Sequence, residues 1–186
     1  MFHCGDYVAY GSAGVCKIIA IGKIDFADNP KRVYYTLCPP YIIRDTKIYV
    51  PVDACNSMRM AITEEEALSC LNELAQVEVQ AMCNVKNNLL ETHYHKMLAT
   101  HDLTEYLRLF KELYQRKKIC EKAGKKPGQV DVRYQDKVEK LLSEEFAIAL
   151  HITPGEAKRK LYEAVDPAYA ECVGTQDHPS VDRSHG

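Results

Sequence analysis

Residues 5–18, Gly-Asp-Tyr-Val-Ala-Tyr-Gly-Ser-Ala-Gly-Val-Cys-Lys-Ile, constrain the fold more than any other stretch. They read as two short strands joined by a glycine-bracketed turn. Tyr7 to Tyr10 have the β-branched and aromatic character of a strand, Gly11 and Gly14 supply the backbone freedom of a tight connection, and Val15, Ile18, Ile19 and Ile21 resume an apolar strand. The pattern recurs in Val33-Tyr34-Tyr35-Thr36-Leu37, which Pro39-Pro40 stops, and in Lys47-Ile48-Tyr49-Val50 before Pro51. Short antiparallel strands at this spacing predict a small β-barrel over residues 1–62.

Near residue 62 the period changes. Thr63-Glu64-Glu65-Glu66 is a capping box, with a hydroxyl to accept from the backbone of Glu66 and a carboxylate to reach back, and Leu68, Leu71 and Leu74 then share one helical face. From Val85 onward the spacing is helical throughout. Leu89-Leu90, His93-Tyr94 and Met97-Leu98 mark one amphipathic helix, and Asp102 caps a longer one whose stripe is Leu103, Tyr106-Leu107, Phe110, Leu113-Tyr114 and Ile119. On that helix Arg108, Lys111, Gln115, Lys118 and Lys122 fall on other faces, and Gly124 followed by Pro127 ends it. A further helix carries Val138, Leu141-Leu142, Phe146 and Ala149-Leu150, and a last one starts at Thr153-Pro154-Gly155-Glu156. The expected architecture is therefore α+β in two domains: a small antiparallel barrel at 1–62 and an all-α helical bundle at 63–165. Residues 166–186 lose the periodicity and read as a flexible tail.

Composition excludes several classes. No run approaches eighteen apolar residues, and Met-Phe-His-Cys-Gly-Asp lacks the basic and apolar regions of a signal peptide, so the expectation is a cytoplasmic protein without a membrane contact. Eight cysteines are spread along the chain with no Cys-x-x-Cys pair, which fits reduced thiols and argues against a zinc site. His93, His95 and His101 with Glu91 could be imagined as metal ligands, but His93 and His95 face different sides of a helix. The sequence offers no phosphate-cradling glycine loop, no nucleophile elbow and no placed carboxylate pair, and the expectation is a protein that is not an enzyme and needs no cofactor. Charge is uneven. Net charge is −2, yet residues 108–126 hold eight Lys or Arg and only two Glu, a local cationic patch on the scale of the Debye length of about 10 Å.

Phe2, Gly5-Asp6-x-Val8-x-Tyr10, Gly14-Val15, Tyr35-x-Leu37 and Tyr49-Val50-Pro51 together resemble the N-terminal module of the CarD/CdnL transcription regulators, a module also found in the transcription-repair coupling factor. Ala99-x-x-Asp102-Leu103, Leu113-Tyr114-x-Arg116-Lys117 and Leu141-x-x-Glu144-x-x-Ala147-x-Ala149-Leu150 follow the family's helical second domain in order, so the resemblance spans about residues 2 to 165. It implies a Tudor-like or SH3-like barrel that grips the β subunit of bacterial RNA polymerase. It also implies helices lying on duplex promoter DNA upstream of the melted region, a role in open-complex stability, and a monomer when free. For the polymerase contact the candidates are Lys23, Arg44, Lys47 and Tyr49, the last standing where the family carries an arginine.

For DNA the candidates are Arg116, Lys117, Lys118, Lys122, Lys125 and Lys126, mainly as phosphate contacts, together with Lys86, Asn87 and Asn88. Asn87 stands where the family places a tryptophan wedge, and this chain has no tryptophan. Other departures are Gly11-Ser12-Ala13, where the family has Pro and His, and extra residues around 123 to 129. The cationic stretch also fits a solvated helix face whose lysines favour the helix C-terminus. A protein adaptor that engages two protein partners without DNA is the alternative reading.

Overall fold

The structure, a computed structural model, describes residues 1–24, 32–42, 46–55, 57–82 and 85–169. Among these residues five strands, β1 (Tyr7–Tyr10), β2 (Gly14–Gly22), β3 (Tyr34–Cys38), β4 (Ile48–Pro51) and β5 (Met58–Met60), form one antiparallel sheet in the order β4-β3-β2-β1-β5. The β1–β2 connection is a 3-10 turn at Gly11–Ala13, and Gly11 and Gly14 both take positive φ there, at 47° and 75°. Tyr7 pairs with Lys17 and Tyr10 with Gly14, so the glycine bracket sets the register. A bulge between Ile18 and Ala20 bends β2 where it meets β3. The sequence predicts a small antiparallel barrel. Among the described residues the sheet is open, with β4 and β5 as edge strands that do not pair.

One face of the sheet buries Val8, Cys16, Ile18, Tyr35, Leu37 and Val50. Phe2 closes this core edge-on to Tyr35, with ring centroids 5.8 Å apart. Burial, with Cys38 and Glu144 nearby, pushes the Cys16 thiol up to about 11, so it packs as a neutral apolar group.

Among the described residues five helices follow: α1 (Glu64–Gln76), α2 (Asn87–Ala99), α3 (Leu103–Lys122), α4 (Gln129–Leu150) and α5 (Pro154–Val165). Their common core contains Leu74, Tyr94, Leu109, Phe110, Leu113, Val138, Leu142, Phe146 and Leu161. The predicted capping boxes form at Thr63/Glu66 and Thr153/Glu156, and Asp102 accepts from the amides of Thr104 and Glu105. Gly124, at φ 65°, follows the end of α3. α1 packs on α3, α4 and α5 and so belongs to the helical core.

The two layers are joined by a partly buried polar clamp. Arg59 on β5 forms a two-pronged ion pair with Glu145 on α4, at 2.5 and 2.8 Å, and donates through Nε to the carbonyl of His101. Glu145, nearly fully buried, also accepts from the amide of Ile62. The left-handed Gly14 faces Leu141 and Glu144 of α4, and a Cβ there would lie 3.2 Å from the Leu141 side chain.

Residues 166–169 differ from the predicted tail. Asp166 accepts from the Tyr114 hydroxyl at 2.6 Å and pairs with Lys118 at 3.2 Å, and Tyr169 stacks on Tyr162 at 4.8 Å. The remainder of the predicted tail, residues 170–186, lies outside the described residues. Among the described residues no helix is long and apolar enough to cross a membrane.

Candidate functional site

The alternation of β4 turns Val50 into the sheet core and Lys47 and Tyr49 toward solvent on an edge strand. Tyr49 is 37% exposed and opposes Thr36 across the ladder. Lys23 is exposed just beyond Gly22, which aligns with Tyr34 and Pro51. Lys47 sits at the opposite end of β4, so the two lysines are separated by about 15 Å along the strands. Arg44 lies outside the described residues. An exposed pair of Arg32 with Asp53, at 2.7 Å, ties the start of β3 to the turn after β4.

The predicted DNA residues divide into surface and interior. α2 and α3 run antiparallel: His93 meets Glu112 at 3.0 Å, and the carbonyl of Leu98 accepts from Tyr106. The start of α2 and the end of α3 therefore lie at one end of the bundle. Lys86, Asn87 and Asn88 are exposed there, with Asn88 accepting from the amide of Leu89. Lys117, Lys122, Lys125 and Lys126 are also exposed, Lys117 with a loose 4.0 Å pairing to Glu121.

Two of the predicted cations have internal duties. Arg116 is only 14% exposed, and its guanidinium grips both oxygens of Asp131 at 3.0 Å and donates to the carbonyl of Met82. Tyr94 donates to the same carboxylate at 2.8 Å, so one network fastens α2, α3, α4 and the segment before α2. Lys118 lies 5.4 Å over the Tyr114 ring as well as against Asp166, and those partners raise its pKa. Arg116 therefore stands apart from the exposed row, and Lys118 only half joins it.

Lys111, which the helical stripe places on an outer face, is likewise internal. It is 7% exposed and caps α1 by donating to the carbonyls of Leu74 and Ala75, at 2.7 and 2.8 Å. Desolvation lowers its pKa.

Sequence reasoning missed a second cationic row on α4. Arg133, Lys137 and Lys140 are exposed at spacings of four and three, a signal readable as one helix face. Arg133 pairs with Glu91 at 2.5 Å, and Lys137 lies 5.2 Å over the Tyr134 ring. Among the described residues no group of three or more His, Cys, Asp or Glu side chains could hold a metal ion.

A family model described as the CarD-like/TRCF RID domain matches residues 2–62, which span the whole sheet. No curated protein matches the chain.

Proposed function

From the CarD-like/TRCF RID domain at residues 2–62, a domain whose family interacts with the RNA polymerase β subunit, we propose that this protein is a CarD-like regulator of bacterial transcription initiation. The sheet docks on the β subunit through the β4 edge, with Tyr49 as an aromatic anchor and Lys47 beside it. The cationic end of the bundle then meets promoter DNA through Lys117, Lys122, Lys125 and Lys126, with Lys86, Asn87 and Asn88 alongside, and so alters the stability of the open complex. These are phosphate contacts without sequence readout. Two weak contacts on one chain suffice, because the second becomes intramolecular once the first is made.

The observation that carries this reading is the domain match over the whole sheet. A second reading, an adaptor that docks two proteins, is favoured by the absence of tryptophan and by the internal use of Arg116.

One pair of measurements separates them. The full chain should capture purified polymerase β subunit, and K47E/Y49A should weaken capture at least tenfold while leaving the circular dichroism spectrum intact. Duplex DNA should bind with a log–log salt slope of about −3 to −4, as four phosphate contacts require. Replacing Lys117, Lys122, Lys125 and Lys126 by Gln should flatten that slope. Capture without DNA binding would replace the regulator by the adaptor, and absence of capture by the folded chain would overturn both.

A further inference from the structure

The first turn of the sheet, the end of α2 and the middle of α4 enclose a cleft of about 490 Å³ that the polymerase and DNA surfaces leave unused. Its floor is apolar, made by Leu98 and Ala99 from α2 and by Tyr134 and Leu141 from α4. Its rim is made by Ser12 from the sheet, His95 and His101 from α2 and the loop after it, and Lys137 and Lys140 from α4. No Asp or Glu lines it. The wall thus combines two ammonium groups, two imidazoles and a hydroxyl above an apolar floor. That is the donor set for an oxyanion and the seat for an apolar body.

Two further observations show a built site. His101 is a non-glycine residue in the left-handed region, at φ 56°. It is held there from both sides: its carbonyl accepts from Arg59, and its ring Nδ1 lies 3.3 Å from the Tyr106 hydroxyl. Backbone strain of this kind persists where surrounding contacts over-determine it, and it gathers at binding sites. The rim lysines also keep their charge available. Lys140 is 60% exposed with only a loose 3.9 Å approach to Glu144, and Lys137 rests over the Tyr134 ring.

We propose that this cleft binds a small organic anion, an oxyanion head such as phosphate carried on a flat apolar body. The head lies among Lys137, Lys140 and the two imidazoles, and the body covers Leu98, Ala99 and Leu141. The cleft opens at the C-terminal end of α2, about 15 Å along the helix from Lys86–Asn88, so it is separate from the proposed DNA surface. Ser12 belongs to the sheet and the lysines to α4, so the ligand bridges the two layers.

The test is calorimetric titration of the full chain with 1-naphthyl phosphate, and separately with inorganic phosphate and with 1-naphthol. The intact probe should bind at least tenfold more tightly than either half. K137Q/K140Q should weaken it at least tenfold while the circular dichroism spectrum stays that of the native fold, since both side chains are exposed. Ala99→Phe fills the floor and keeps every charge, and it should weaken binding to a similar degree. R159Q/K160Q, on the exposed face of α5, should bind as the native chain does. Absence of binding, equal binding of inorganic phosphate, or equal loss in R159Q/K160Q would overturn the proposal. None of these outcomes bears on capture of the polymerase.

Discussion

Glu144 shows how a single side chain can carry a cost the rest of the fold absorbs. It is 8% exposed on α4, beneath Gly14 of the sheet. Burial pushes its carboxyl above the usual carboxylate range, and Lys140 opposes the shift. A carboxyl raised in the folded state binds more protons there than in the unfolded chain, so its contribution to stability falls as pH rises through the folded pKa. At neutral pH the ionised form therefore costs stability. Glu144→Gln should raise the thermal midpoint at pH 7, and the gain should shrink as pH falls toward the ordinary carboxylate value near 4.5; a lower midpoint at pH 7 would contradict this. Exposure of Lys117, Lys122, Lys125 and Lys126 was legible from their positions along α3 and the loop after it. The inward turn of Arg116 was not, because its partner Asp131 comes from another helix.

Helix ends were more legible than helix faces. A capping box is written within four residues, so Thr63/Glu66 and Thr153/Glu156 follow from local spacing alone. Thr153→Ala should cost about 1 kcal/mol of stability, read as a lower urea midpoint with an unchanged slope. Faces depend on what lies opposite. Leu68, Leu89 and Ile119 share the apolar stripes expected to face the core, yet they are 47%, 56% and 46% exposed. In α1 the buried line runs through Ala67 and Leu74, and in α2 through Leu90 and Tyr94, each one position round from the exposed leucine. Ile119 lies in the last turns of α3, beyond the stretch from Tyr106 to Tyr114 that the other helices cover. Lys111 was misplaced in the opposite sense, because the α1 carbonyls it caps are 36 and 37 residues away in sequence.

At the scale of the whole molecule, the clamp of Arg59 and Glu145 makes sheet and helices one mechanical unit. Glu145 is 3% exposed, so removing the guanidinium leaves a buried charge without compensation. Loss of one partner of such a pair costs about 3–5 kcal/mol, whereas replacing both by apolar groups is often neutral. Arg59→Ala should therefore lower the urea midpoint sharply, and R59M/E145L should recover much of the loss. A small effect in Arg59→Ala would mean that the sheet and the bundle are held by packing at Gly14 and Leu141 alone.

The sequence by itself determined strands β1 to β4, the five helices, the change from β to helical period near residue 62 and the family of the N-terminal domain, whereas the three residues of β5 are too few to show an alternation. These are local properties, set by alternation, caps and turn glycines within about ten residues of one another. Only the tertiary structure decided that, among the described residues, the sheet is open at β4 and β5, that Arg116 and Lys111 are internal, and that the sheet, α2 and α4 enclose a cationic cleft. Each of these depends on residues far apart in the chain meeting in space, and charge or hydropathy along a sequence does not specify which distant group a side chain will satisfy.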